Sequence, residues 1–155
     1  MSKNKVAKTT GSFGAALGRG IIAGLAGTAA ITVSQMIEMK ITGRKPSTAP
    51  ADAASKVLDI KPSTNDDKQQ FSQEVHWTYG TSWGIARALI ASTGLEGIPA
   101  SLLHFGAIWG TAMIIEPKLG VAPPVTEWEP KTIAIDALHH AVYAAVAGLV
   151  YDAID

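Results

Sequence analysis

GSFGAALGRGIIAGLAGTAAITVSQMI, from Gly11 to Ile37, decides how this chain is read. Arg19 is its only charged residue, and the run exceeds the roughly 20 residues an α-helix needs to cross the hydrocarbon of a bilayer. Lys3, Lys5 and Lys8 precede it. A secretory signal peptide also has a basic start, but its apolar region is about 7–15 residues and closes on a small-residue cleavage site. The longer run here points to a retained helix.

Working outward, the charges cluster and leave three further gaps. WTYGTSWGIARALIAST (Trp77 to Thr93) encloses Arg87, and IPASLLHFGAIWGTAMII (Ile98 to Ile115) is closed by Glu116 and Pro117. IAIDALHHAVYAAVAGLVYDAI (Ile133 to Ile154) carries Asp136, His139, His140 and Asp152. The expected fold is all-α, an antiparallel bundle of four transmembrane helices spanning 13–38, 75–93, 98–116 and 132–153 in one domain over 13–155, after a basic segment 1–12. Pro117 disfavours helical geometry in the residue before it, so the third helix should stop there. Composition leans the same way: 17% of residues are charged, against roughly 25% in soluble domains, and mean hydropathy is +0.19. The alternative is a soluble Gly- and Ala-rich helical domain, in which each interior Gly would cost roughly 1 kcal/mol against Ala.

The connections read as aqueous. The loop 40–74 repeats KPST at Lys45 and Lys61, each time before a helix start. Pro50 suits a first helical residue, which suggests a short amphipathic helix over 51–59. Ser63, Thr64 or Asn65 can cap the second long helix, with Asp66 and Asp67 in its first turn, where negative charge suits the helix dipole. Thr126 and Glu129 stand in capping-box spacing before the last helix. Trp77 and Trp128 fall where interfacial aromatics belong.

Small residues let backbones approach in lipid, where the apolar effect does not drive helices together. Gly14 and Gly18, Gly20 and Gly24, Gly80 and Gly84, Gly106 and Gly110, and Ala144 and Gly148 all have small-xxx-small spacing, so every helix is expected to pack through one. Ionisable residues at that depth should face the interior and pair. His76, Gly80, Trp83 and Arg87 share a face of the second helix at 100° per residue. Asp136, His140 and Tyr143 share one on the last, with His139 a step round, while His104 and Glu116 come from the third. The expected core is an Arg87–Asp136 ion pair with His139 or His140 as hydrogen-bond neighbours. Such a network can serve architecture alone, fixing which helices touch.

Three functions remain open: a structural or accessory membrane subunit, a homo-oligomeric proton or small-solute pathway, and a His-ligated haem or metal protein. His139 and His140 are adjacent and point about 100° apart, so they cannot chelate together; His104 with His140 is the remaining ligand pair. No cofactor is otherwise expected, and no residue is assigned a catalytic role. With 13 basic and 13 acidic residues and no Cys, there is no field to draw nucleic acid and no thiolate chemistry. Phosphate-loop, HExxH and GxSxG motifs are missing, which argues against an enzyme of those classes. The partners expected are the lipid bilayer and a second copy or another membrane protein. Basic residues number 3 on the terminal side against 8 on the other, a weak lead for termini outside that leaves orientation undecided.

GIIAGLAGTAAITVSQM, HWTYGTSWG, LHFGAIWG, EPKLGVAPP and DALHHAVYAAVAG together resemble the YagU-like family of uncharacterised bacterial inner-membrane proteins. The likeness covers Gly14 to Tyr151 in short patterns. It implies a multi-pass protein of the bacterial inner membrane and supplies no catalytic residues.

Overall fold

Charge gaps become helices. The computed structural model describes residues 3–155, with side chains from residue 12 onward. Lys3, Lys5 and Lys8, expected to form a basic segment, therefore have side chains outside the described residues; the backbone there is already helical from Lys3. Five α-helices follow in order: α1 (Lys3–Thr42), α2 (Ala49–Leu58), α3 (Asn65–Ser92), α4 (Gly97–Lys118) and α5 (Pro130–Ala153), with a single 3-10 turn at Val125–Glu127. No strand occurs among the described residues. α1, α4 and α5 are long and apolar enough to cross a membrane; α3 is not, by the same measure. Its first turns, Asn65 to Glu74, are polar, and its inward face carries His76, Thr81 and Arg87.

Helix ends follow the capping rules in part. The Thr64 hydroxyl accepts from the Asp67 N–H and the Asp67 carboxylate accepts from the Thr64 N–H, a reciprocal capping box at the start of α3. The second expected box fails: Pro130 occupies the first turn of α5, which makes Glu129 the cap without a side-chain bond, while Thr126 sits in the 3-10 turn. α4 also outruns Pro117 and ends at Lys118. A proline in the final turn forfeits one N–H bond only, and the Leu119 N–H still reaches the Ile115 carbonyl at 2.9 Å.

α1 is the central helix, packed most extensively on α3 and next on α5, with α4 lying mainly against α5. α1 and α4 run one way, α3 and α5 the other. Glycine makes the closest contact. A Cβ on Gly84 would enter the Gly20 carbonyl, and one on Gly24 would stop 2.9 Å from the Gly84 Cα. Gly80 faces the Thr28 side chain and Gly148 faces Ser101 of α4. Gly14, Gly18, Gly106 and Gly110, expected to pack in the same way, have no atom within 4 Å of a built Cβ. On α4 the inward stripe is Ala100, His104 and Ile108, so Gly106 and Gly110 fall on the opposite side.

What is buried inverts the pattern of a water-soluble domain. The largest fully buried side chains are Arg87, Tyr151, His104, Thr28 and Ser72, and the apolar core is chiefly Ala. Large apolar side chains face outward: Ile22 on α1, Ile98 and Leu102 on α4, and Leu138 and Leu149 on α5 are all more than half exposed. α2 lies across one end of the bundle. The Ser72 hydroxyl donates to the Ser47 carbonyl at 3.1 Å, Lys68 pairs with Asp52 at 2.7 Å, and the Lys56 ammonium donates to the Leu119 and Gly120 carbonyls beyond α4. Burial pushes the Asp52 carboxyl up, but the hydrogen bonds from Lys68 and Thr48 outweigh it and hold the group below the usual carboxylate range.

Candidate functional site

The polar side chains inside the bundle form two groups joined by a middle pair. At the end where α3 and α5 terminate, Arg87 is fully buried and donates through Nη2 to the Asp152 carboxylate. Its guanidinium lies 4.7 Å from the Tyr151 ring centroid, and Arg19 lies 5.8 Å from the same ring while pairing with Asp155 at 2.6 Å. One ring thus carries two guanidiniums, an arrangement favourable to the ring quadrupole, and each cation has its own carboxylate. A cleft of about 440 Å³ opens beside them, bounded by Ala91, Glu96, Gly97, Tyr151, Asp152 and Asp155.

The expected Arg87–Asp136 pair does not form. Both residues were placed on inward faces, but angle round a helix says nothing about position along it. Arg87 Nε stands 3.9 Å from the Gly148 Cβ position. Asp136 is twelve residues earlier on α5, roughly 18 Å away at 1.5 Å per residue. Asp152, four residues past Gly148 and so one turn along the same face, is within reach.

Asp136 belongs to the second group, at the other end. Its carboxylate accepts from Trp109 Nε1 of α4 at 2.8 Å, and His140 Nδ1 lies 2.9 Å from its carbonyl and 3.6 Å from its carboxylate. His140 is thus a neighbour of Asp136 one turn along α5, with no arginine between them. His139 instead turns toward α1, where Nδ1 meets the Ser34 hydroxyl at 2.8 Å. His76 of α3 meets the Thr32 hydroxyl of α1 at 3.0 Å. Glu116 is half-buried.

Between the groups, Tyr143 and His104 tie three helices. The Tyr143 hydroxyl donates to the Gly80 carbonyl of α3 at 2.6 Å, and His104 Nε2 donates to the Trp83 carbonyl at 2.9 Å. The two rings meet edge-on at 5.8 Å. Both accepting carbonyls are on α3, so its backbone is recognised from α4 and α5. Tyr143→Phe removes one such bond and leaves the ring; we expect it to lower stability by about 1 kcal/mol, measured as the thermal midpoint in detergent. No loss would mean that the hydroxyl is dispensable.

Of the two candidate ligands, His104 is engaged through Nε2 by the Trp83 carbonyl and His140 through Nδ1 by the Asp136 carbonyl. Among the described residues no group of three or more His, Asp or Glu could hold a metal ion.

The residues that sequence reasoning passed over are Asp152, Thr32, Ser34, Trp109 and Gly27, against whose Cβ position the Tyr143 ring stands at 2.9 Å. Alternating helix direction was the available signal for Asp152: it puts the C-terminal ends of α3 and α5 together. Comparison with family models, with curated proteins and with solved structures finds no match to this chain.

Proposed function

We propose that this chain is a four-span integral protein of the bacterial inner membrane whose polar interior is architectural, and that it serves as a structural or accessory subunit for another membrane protein. The observation that carries the membrane reading is the inverted burial: polar side chains are the largest groups inside and branched aliphatics cover the outside. In water each exposed aliphatic would forgo burial worth about 25 cal/mol per Å²; in lipid it is at home. The resemblance to YagU-like proteins points to the same compartment.

α3 is read as the remaining span on the strength of its outer surface. From Val75 to Ser92 its one charged residue is Arg87, and that is buried. Outward lie Thr78, Tyr79, Ser82, Ile85 and Leu89. The Ser82 and Ser92 hydroxyls fold back on the Tyr79 and Leu89 carbonyls at 2.7 Å, so they present no unmet donor to lipid. Low hydropathy in α3 therefore reflects both the inward Arg87 and His76 and outward hydroxyl residues whose donors are partly met by its own backbone.

An architectural role is favoured because the buried polar groups bond helix to helix: Tyr143 and His104 to α3, His139 and His76 to α1, Trp109 to Asp136. Such bonds fix register, which apolar packing alone leaves loose. Alkaline carbonate washing should leave the protein in the membrane pellet, and release to the supernatant would overturn the four-span reading. Purification in mild detergent should bring down a stoichiometric second protein. A homo-oligomer that dissipates a proton gradient in vesicles would replace the subunit reading with a pathway through Glu116, Asp136 and the His residues.

A further inference from the structure

We propose that the turn 57–61 is an interfacial membrane anchor, seating Val57, Leu58 and Ile60 where lipid headgroups meet acyl chains. The inference rests on the four-span reading and goes beyond it, because this turn lies in a connecting segment outside every span.

α2 is held at its start and, beyond the Lys56 ammonium, ends in an exposed turn. Ala51 is fully buried, and Asp52 is tied to Lys68 of α3. From Lys56 onward every residue to Lys61 is exposed. Beside Lys56, Asp59 and Lys61, the other three of these six residues are apolar, with Val57 66% accessible, Leu58 59% and Ile60 44%. Between them Asp59 caps α2 in the left-handed region at φ 53°, which reverses the chain and sends the apolar residues out at a tip. Burying these side chains elsewhere in the bundle would have been the ordinary outcome for a loop in water.

The level of the tip along the bundle selects the occupant. The Lys56 ammonium is bonded to the carbonyls of Leu119 and Gly120, immediately after α4 ends. The tip therefore sits at the depth where that helix leaves the hydrocarbon, not far out in the aqueous phase. Just below it along α4, Ile114 and Ile115 are exposed at 56% and 44%, so the apolar tip continues a surface already read as lipid-facing. Lys61 follows Ile60 directly, and Lys118 is the last residue of α4. Their aliphatic stems can follow the apolar surface while the ammonium groups reach lipid phosphates. An apolar tip flanked by Lys is the chemistry of a segment that enters the interface by about 5–10 Å.

The chain has no cysteine, so single sites can be spin-labelled in the otherwise unchanged protein. Leu58→Cys, Leu138→Cys and Asp66→Cys, each carrying a nitroxide, would be reconstituted into phosphatidylethanolamine–phosphatidylglycerol vesicles. Collision with oxygen, which concentrates in lipid, would be compared with collision with a water-soluble nickel chelate. Leu138, outward on α5, reports the span, and Asp66, exposed in the first turn of α3, reports water. The expected result is oxygen-favoured collision at Leu138 and, at shallower depth, at Leu58, with nickel favoured at Asp66. Nickel-favoured collision at Leu58 beside an oxygen-favoured Leu138 would overturn the anchor and leave the spans standing. Shielding of Leu58 from both reagents would overturn it in favour of a protein cover. Nickel-favoured collision at Leu138 would overturn the membrane reading itself.

Discussion

Gly84→Ala is expected to lower the stability of the detergent-solubilised protein by about 3 kcal/mol, read as a fall in thermal midpoint, with Gly84→Val unable to fold. The added methyl would occupy the position of the Gly20 carbonyl, a backbone group that cannot rotate away, so α1 and α3 must separate along their whole contact. That separation would also loosen Gly24 and the Thr28 contact to Gly80, because all lie on one seam. Gly106→Ala provides the contrast. Its Cβ would enter open space, and the gain in helix propensity should change stability by less than about 1 kcal/mol, in the stabilising direction. Equal losses at the two positions would show that the seam does not hold the bundle.

Arg87→Ala should cost about 2–5 kcal/mol, the range for truncating a large, fully buried side chain. The substitution leaves the exposed Asp152 carboxylate to solvent, uncovers one face of the Tyr151 ring and leaves a hole where a fully buried side chain stood. A double-mutant cycle assigns the partner. Arg87→Ala combined with Asp152→Asn should be less damaging than the sum of the single changes, by about 0.5–3 kcal/mol. Combined with Asp136→Asn it should be additive, since Asp136 lies near the opposite end and is held by Trp109. Coupling to Asp136 with additivity at Asp152 would overturn the axial register described above.

Helix positions were legible because charge marks where a chain meets water, and the capped start of α3 was legible because Thr64 and Asp67 satisfy each other locally. Contacts between helices were legible only in direction. Arg87 and Tyr143, which a helical wheel sets on inward faces, are buried, but depth depends on which way each helix runs and how far each loop carries it. Arg87 was thus joined to the wrong aspartate. Small-residue spacing has a similar limit. It shows where two backbones could meet, as at Gly20 and Gly84, and equally where none do, as at Gly106 and Gly110. Ser34 and Thr32 gave no sequence signal, because a hydroxyl in a helix normally satisfies its own backbone. Thr32 does so at 2.7 Å while also meeting His76.

The central place of α1 also sets a timetable for biogenesis. Ser34 and His139, bonded in the finished molecule, are 105 residues apart, so α1 leaves the ribosome long before α5 exists. On the proposed four-span reading, the seam with α3 can zip as soon as the first helical hairpin is inserted. Gly27, Ser34 and the rest of the α5-facing side must wait, exposed to lipid or to the insertion machinery, until the last helix arrives. Long-range closure of this kind is slow, and it makes the half-assembled hairpin the species most open to capture by quality-control proteases.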